Sequence, residues 1–401
     1  MRGALAAVAA LVACARTTAP EPTAEPHDAM APGDVTRESG RPEEVRADRV
    51  LVERLASDAL EGRRAGSEGG KEARRAIVEA LTACGVKPAP GGWERPTRGP
   101  GVNVLGEVKG TAPGRYLVVS AHYDHLGVID GAIMNGADDN AAAVGSVVAV
   151  ACALAGEAAR PVTLIVALWD AEEPPYFLTS AMGSRSWVED PHVPLAEVEA
   201  AIVLDLVGGG LWPGSPVHVA LGAETSPELA AAVEATPVPD GLVVGQAGLA
   251  LVERLVTGGR QPWSDYHDFR EREVPVLFLS NGQTVHYHTA GDDFATLDLD
   301  KLDRQTTWLA ALTRRLLSAP SRPRWAPFER PEVDRAAARR LVEGALASGR
   351  FETAAAVLRR DLDVLAVGDD ERARRVAVQR VQCLAGSHYP IAMCLGLGGE
   401  R

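Results

Sequence analysis

Five short stretches of the chain hold side chains that bind cations: His122-Tyr123-Asp124-His125, Asn135-Gly136-Ala137-Asp138-Asp139, Asp170-Ala171-Glu172-Glu173, Asp205, and His286-Tyr287-His288. Each is commonplace alone, since a His-x-Asp arises by chance and a Glu pair is ordinarily a solvated face. Their positions set them apart. Four of the five follow an apolar run of strand length, and the aspartate pair opens an apolar helix. Together they offer His, Asp, Glu, Asp and His, a nitrogen and oxygen donor set without sulfur. Such a set suits zinc, with cobalt or manganese as alternatives. The chain has five cysteines but no Cys-x-x-Cys pair, so a thiolate site has no support.

The elements that would position these groups are legible as apolar runs. Tyr116 to Ala121, Val162 to Trp169, Ala201 to Leu206 and Val274 to Leu279 are continuous, strand-length and apolar on both faces, so helices must cover both sides. Helical patterns span Val45 to Leu60, Lys71 to Cys84, Asn140 to Leu154 and Leu302 to Leu317. The expected fold is therefore α/β, a mostly parallel central sheet with helices on both faces. In such sheets ligands collect outside the carboxyl ends of the strands, where the five stretches fall. Past a Pro/Arg-rich break from Pro320 to Pro331, three further helices are expected over Asp334 to Ala347, Phe351 to Leu365 and Glu371 to Leu384. They form a small C-terminal helical appendage. The expected organisation is a leader over 1–14, a tether over 15–44, a catalytic domain over 45–318 and a linker with helices over 319–401.

The order of motifs resembles the zinc aminopeptidase family of the bacterial leucyl aminopeptidase type, with glutamate carboxypeptidase and glutaminyl cyclase as relatives. The resemblance covers roughly residues 45–318. It rests on LASDALEGRRAGSEGG, NVLGEVKG, AHYDHLG, NGADDNAA, LWDAEE with a later GSR, IVLDLVG, SDYHDF, VPVLFLSNG and HYHTAGDDFATLD. It implies two zinc ions per chain. His122 and Asp205 would hold one, Glu173 and His288 the other, and Asp139 would bridge them, with Asp138 as the alternative. It also implies a cis peptide after the bridging aspartate.

Two cations roughly 3.5–4 Å apart need carboxylates between and around them to offset their repulsion. Glu172, beside Glu173, is the candidate general base. Tyr287 is the candidate donor to the developing oxyanion, as the resemblance implies. Asp124 is placed to orient His122 from behind, whereas His125 and His286 read as structural. The chain departs from the family pattern at Pro174-Pro175-Tyr176-Phe177, which lengthens the loop before Gly183-Ser184-Arg185, at Ser264-Asp265-Tyr266-His267 in place of Ser-Asp-His, and at Ala142-Ala143 in place of Ser-Gly. The preferred side chain would be set by loops that include Trp212 to Pro216 and Val243 to Trp263.

The expected activity is hydrolysis of the amino-terminal bond of peptides. The alternatives are a single-zinc acyltransferase like glutaminyl cyclase and a non-catalytic zinc-holding protein. A net charge of −13 would repel a phosphate backbone, so nucleic acid is not an expected partner. Arg2 and the short apolar run to Ala13 read as an export leader, too short to span a bilayer. Leu11-Val12-Ala13-Cys14 resembles a bacterial lipobox, which would make membrane contact depend on a lipidated Cys14 and face the protein to the periplasm or cell surface. Cys383 and Cys394 are close enough in sequence for a disulfide that an exported protein would keep. The sequence sets no oligomeric state.

Overall fold

The computed structural model describes residues 43–256, 259–368, 370–385 and 394–396. Cys14 and the tether up to residue 42 lie outside the described residues. The central sheet is built on seven principal strands: β1 (Val102–Val108), β2 (Tyr116–His122), β3 (Thr163–Trp169), β4 (Val198–Leu204), β5 (Val217–Leu221), β6 (Val243–Ala247) and β7 (Val276–Ser280). Their order is β1-β3-β2-β4-β7-β5-β6, with short strands Lys87–Pro88 and Glu94–Pro96 paired to β1. The inner strands β3, β2, β4 and β7 run parallel, and β5 with β6 is parallel too.

The sheet is mixed, which corrects the expectation of a mostly parallel one. β1 opposes β3, β5 opposes β7, and both short strands oppose β1. Parallel neighbours need a long crossover, usually a helix. The segments 109–115 and 205–216 contain no helix, and the chain reverses direction across each of them. The four strands expected from sequence are the parallel ones, because only they read as uninterrupted apolar runs.

Period-two alternation splits each inner strand between two faces. Leu117, Val119 and Ala121 of β2 join one apolar cluster, whereas Val118 joins the other. The first face is covered by α1 (Arg49–Leu55), α2 (Glu68–Ala83), α3 (Ala142–Ala155), α5 (Pro227–Ala235) and α6 (Leu299–Leu317). Ser67 caps α2 by accepting from Gly70 N at 3.0 Å, and Asp298 caps α6 by accepting from Lys301 N at 3.0 Å.

The second face is covered by α4 (Gly183–Glu189) and by α7 (Pro331–Ala347), α8 (Ala355–Val367) and α9 (Glu371–Ala385). Ala338, Val342, Leu358, Val378 and Val381 of the C-terminal helices belong to the same apolar cluster as Val276 and Phe278 of β7. The appendage is thus continuous with the core of the second face. Cys383 and Cys394 form a disulfide, and so do Cys84 and Cys152, a pair the sequence did not suggest.

Candidate metal centre

Each candidate group is placed by the end of an inner strand or by the turn before α3. His122 is the last residue of β2, and Asp205 follows β4 directly. Glu172 and Glu173 lie just beyond β3, and His288 lies in the segment after β7. Asp139 sits in the tight turn ahead of α3, and its peptide to Asn140 is cis.

These residues converge. His122 Nε2 lies 3.2 Å from Asp139 Oδ1, 3.5 Å from Asp205 Oδ1 and 3.9 Å from Glu172 Oε2. On the other side of Asp139, His288 Nε2 is 3.3 Å from Asp139 Oδ2 and 3.3 Å from Glu173 Oε2. His125 Nδ1 is 2.7 Å from Glu173 Oε1 and 3.8 Å from Asp139 Oδ2. Two groups therefore have cation-binding spacing, His122 with Asp139 and Asp205, and His125 with Asp139 and Glu173. Asp139 is common to both. His125, expected to be structural, turns its buried ring to Glu173 within the second group. His286 is half-buried outside both groups.

Asp138 has a different task. Its Oδ1 accepts from Gly208 N at 2.7 Å and from Gly209 N at 3.0 Å, which turns it toward the loop after β4. Asp139, not Asp138, faces the imidazoles.

The donor set fits metal ions on evidence internal to the structure. Among the described residues, His122 Nε2, His125 Nδ1 and Nε2, Glu173 Oε1 and Asp205 Oδ1 are buried and make no well-aligned hydrogen bond. Buried polar atoms are almost always satisfied, so His122 Nε2 with Asp205 Oδ1 on one side of Asp139, and His125 Nδ1 with Glu173 Oε1 on the other, suit cations. Charge balance points the same way. Burial works against protonated imidazoles here, yet Glu172 and Asp205 raise His122 well above its ordinary value. His288 is likewise raised against burial, to about 10, by Asp139 and Glu173. Burial would lift the Asp139 carboxyl, but the imidazoles of His122 and His288 hold it well below the usual range. The cluster demands positive charge.

Glu172 differs from Glu173. Burial pushes the Glu172 carboxyl well above its ordinary value, whereas imidazoles at His125 and His288 overcome burial to lower that of Glu173. Adjacent residues thus hold their protons with opposite tendencies. Asp124 arranges them: Oδ1 accepts from Glu172 N at 3.1 Å and Oδ2 from Glu173 N at 3.2 Å. His122 Nδ1 pairs with the Asp124 backbone carbonyl at 3.2 Å, with the carboxylate 3.6 Å away, so one residue aligns a β2 imidazole with the turn after β3.

Tyr287 stacks on His288 with ring centroids 3.8 Å apart and lines the cavity beside the cluster. At Ser264-Asp265-Tyr266-His267, the half-buried His267 pairs with Arg270 away from the cluster. It is Asp265 that is fully buried toward the centre, its carboxyl pushed up to about 8, chiefly by burial. Asp268 accepts from Ser184 Oγ at 2.9 Å and Arg185 Nε at 2.7 Å, tying this segment to Gly-Ser-Arg.

Residues 103–313 match peptidase family M28. The chain belongs to that family. No curated protein sequence matches it. Among solved structures it is similar to the LapA aminopeptidase of Legionella pneumophila, with TM-score 0.54 and 16% identity over 68% of this chain and 71% of that one. It is similar to the glutaminyl cyclase of Porphyromonas gingivalis, with TM-score 0.53 and 19% identity over 68% and 99%. It is similar also to a Zn-dependent exopeptidase from Parabacteroides distasonis, with TM-score 0.51 and 17% identity over 68% and 97%. At these identities the likeness shows a shared fold. The M28 match ends inside α6, so α7 to α9 lie beyond it.

Two supports carry no signature of their own in the sequence, Arg63 ahead of the family match and Asp292 inside it. Arg63 is fully buried and donates to Tyr123 O at 2.9 Å, to Gly136 O at 2.9 Å, to Leu55 O at 2.6 Å and to Asn135 O. It joins the His122 motif to the turn that presents Asp139. Asp292 accepts from Asp138 N at 2.8 Å and Asp139 N at 3.0 Å, fixing that turn from the other side. Both residues stand inside quoted motifs, LEGRRAG and HYHTAGDD, and that placement was the available signal. Gly136 completes the support: at φ +59° a Cβ would come 2.5 Å from the His125 ring, so only glycine fits.

Proposed function

We propose that the protein is a zinc-dependent aminopeptidase with two zinc ions per chain. His122, Asp139 and Asp205 would hold one ion, and Asp139, Glu173 and His288 the other, with His125 at the flank of Glu173. Bound zinc supplies Lewis acidity that polarises a carbonyl and brings the pKa of water toward neutrality. Glu172 acts as general base: its carboxylate takes a proton from the attacking water and later delivers it to the leaving amine nitrogen. The burial that raises its pKa suits both halves of that exchange. Tyr287 donates its hydroxyl proton as a hydrogen bond to the carbonyl oxygen as negative charge develops there.

The observation that carries this reading is the pair of cation-binding groups sharing Asp139, with the buried Glu172 carboxylate 3.9 Å from His122 Nε2 at their edge. The test is turnover of an aminoacyl-anilide panel by zinc-loaded wild type and Glu172→Gln, with zinc measured in both. Full zinc content with turnover at least ~100-fold lower in the variant is expected, the scale of a removed general base. Equal turnover in the two would remove Glu172 from the mechanism.

A second reading, a glutaminyl-cyclase-like acyltransferase, is favoured by the long segment between Glu173 and Gly183, of which Pro174 and Phe177 line the cavity. Ammonia release from amino-terminal glutaminyl peptides, without anilide cleavage, would select it. We further propose that the protein is exported and anchored through Cys14. Two disulfides support an oxidising compartment, and radiolabelled palmitate incorporation that survives in wild type and is lost in Cys14→Ala tests the anchor.

A further inference from the structure

The metal cluster opens into a cavity of about 480 Å³, within the roughly 300–1,000 Å³ range of small-molecule sites. Its acidic residues, Asp139, Glu172, Glu173 and Asp205, all belong to the metal end. The remainder is largely apolar and has two origins. One part comes from the M28 domain, the other from the C-terminal helices, where Ala337, Arg340 and Leu341 of α7 and Val378 and Gln382 of α9 line the same space.

Rigid attachment makes these helices a wall and not a loose neighbour. Asp334 at the start of α7 accepts from Gly248 N at 2.7 Å, and Arg330 donates to Gln246 Oε1 at 2.6 Å, fixing α7 to β6 and the turn after it. Farther along α7, a Cβ at Gly344 would come within 2.6 Å of the Trp212 ring, so helix and cavity-lining indole are in direct contact. Trp263 lies on the M28 side of the cavity, and its indole N–H is satisfied by Val252 O at 3.1 Å, leaving the ring itself as apolar surface.

We propose that α7 and α9 are the specificity element of this site: Leu341 and Val378 line the cavity together with Trp212, Leu251, Trp263 and Phe278, and select peptides whose amino-terminal residue carries a bulky apolar side chain. The inference rests on the aminopeptidase reading for its substrate. Its content is the part played by helices outside the family match. A basic side chain finds no carboxylate in the apolar part, where Arg340 is the one charged group, so lysyl and arginyl substrates are rejected.

The test uses the full-length, zinc-loaded protein and compares kcat/KM for leucyl, phenylalanyl, alanyl and lysyl anilides in wild type, Leu341→Trp, Val378→Phe and Leu341→Ala. Filling the cavity is expected to lower the leucyl and phenylalanyl values at least tenfold while changing the alanyl value less than threefold. Leu341→Ala is expected to lower the phenylalanyl-to-alanyl ratio severalfold without added bulk. In parallel, calorimetry on Glu172→Gln, alone and combined with each substitution, measures binding of a Phe-headed and an Ala-headed dipeptide. Anilide cleavage with an unchanged leucyl-to-alanyl ratio in all three variants overturns the inference and leaves the peptidase reading standing. Absent cleavage, with Phe-headed binding that is lost on filling, defeats the peptidase reading and leaves the wall. A wild type that cleaves lysyl as well as leucyl anilide contradicts the proposal outright. Thermal melting of each variant shows whether it is folded, and the milder Leu341→Ala decides if both filled variants melt early.

Discussion

At one end of the cavity His122 and Asp205 sit on or next to the last residues of β2 and β4, with Glu173 and Asp139 held by main-chain hydrogen bonds to Asp124 and Asp292. At the other end Trp212 comes from a loop, Leu251 from a short helix, and Leu341 and Val378 from the C-terminal extension. The metal end is therefore specified by chemically distinctive side chains on a rigid sheet. The apolar end is specified by packing between segments far apart in sequence. The first arrangement fixes what reaction is possible, and the second fixes what enters.

The sharpest way to break this contrast is at Glu172. Glu172→Gln should lose ~10²–10⁴ in kcat with unchanged thermal stability and unchanged preference among anilides; a change in preference would mean that the two ends are not separable. Next in size is the packing beneath the apolar end. Leu358 is fully buried in the cluster shared by α8 and the sheet, and Leu358→Ala should cost about 2–5 kcal/mol. Calorimetry should show one lowered transition for the whole molecule, whereas an early, separate transition would mean that the helices fold apart from the sheet.

A smaller effect is expected at Asp124. Asp124→Asn keeps the shape but weakens acceptance from the Glu172 and Glu173 amides, and should reduce zinc affinity about 10–100-fold, measured by competition with a chelating dye. Leucyl-to-alanyl selectivity should stay at the wild-type ratio. A pH effect is expected at a residue that lines neither end of the cavity. Burial lowers the His218 imidazole to about 4, with Nδ1 3.0 Å from Asn281 Oδ1. Its folded pKa is depressed below an unfolded value near 6.5, so its stabilising contribution is present above that value and is lost as pH falls toward 4. The slope is about 1.4 kcal/mol per pH unit in that window. His218→Gln should melt with a correspondingly shallower acid dependence between pH 6.5 and 4.5; an identical slope would remove His218 as its source.

The same contrast explains what could be read from sequence. The inner parallel strands were legible because burial on both faces leaves an uninterrupted apolar run, as in Val198–Leu204. The candidate metal-binding residues were legible because His122, Glu173, Asp205 and His288 end or follow such runs, while Asp139 precedes the apolar helix α3. β1 and β5 were not, since Gly106 interrupts one and His218 the other, and the mixed pairing followed from strands that went unassigned. His125 was read as structural because a histidine beside a ligand motif has no distinguishing spacing until Glu173 folds against it. Arg63 and Asp292 support the cluster through backbone groups, which leave no pattern of their own. The wall formed by Leu341 and Val378 was hidden for another reason: apolar residues at helical spacing announce a buried face but not what that face is buried against.

Metal stoichiometry bears most directly on the shared carboxylate. Zinc per chain, measured by plasma mass spectrometry after dialysis against metal-free buffer, should be two equivalents in wild type, about one in His122→Ala and in His288→Ala, and less than one in Asp139→Ala. A single equivalent in wild type, or two equivalents retained by Asp139→Ala, would contradict a centre in which one aspartate serves both cations.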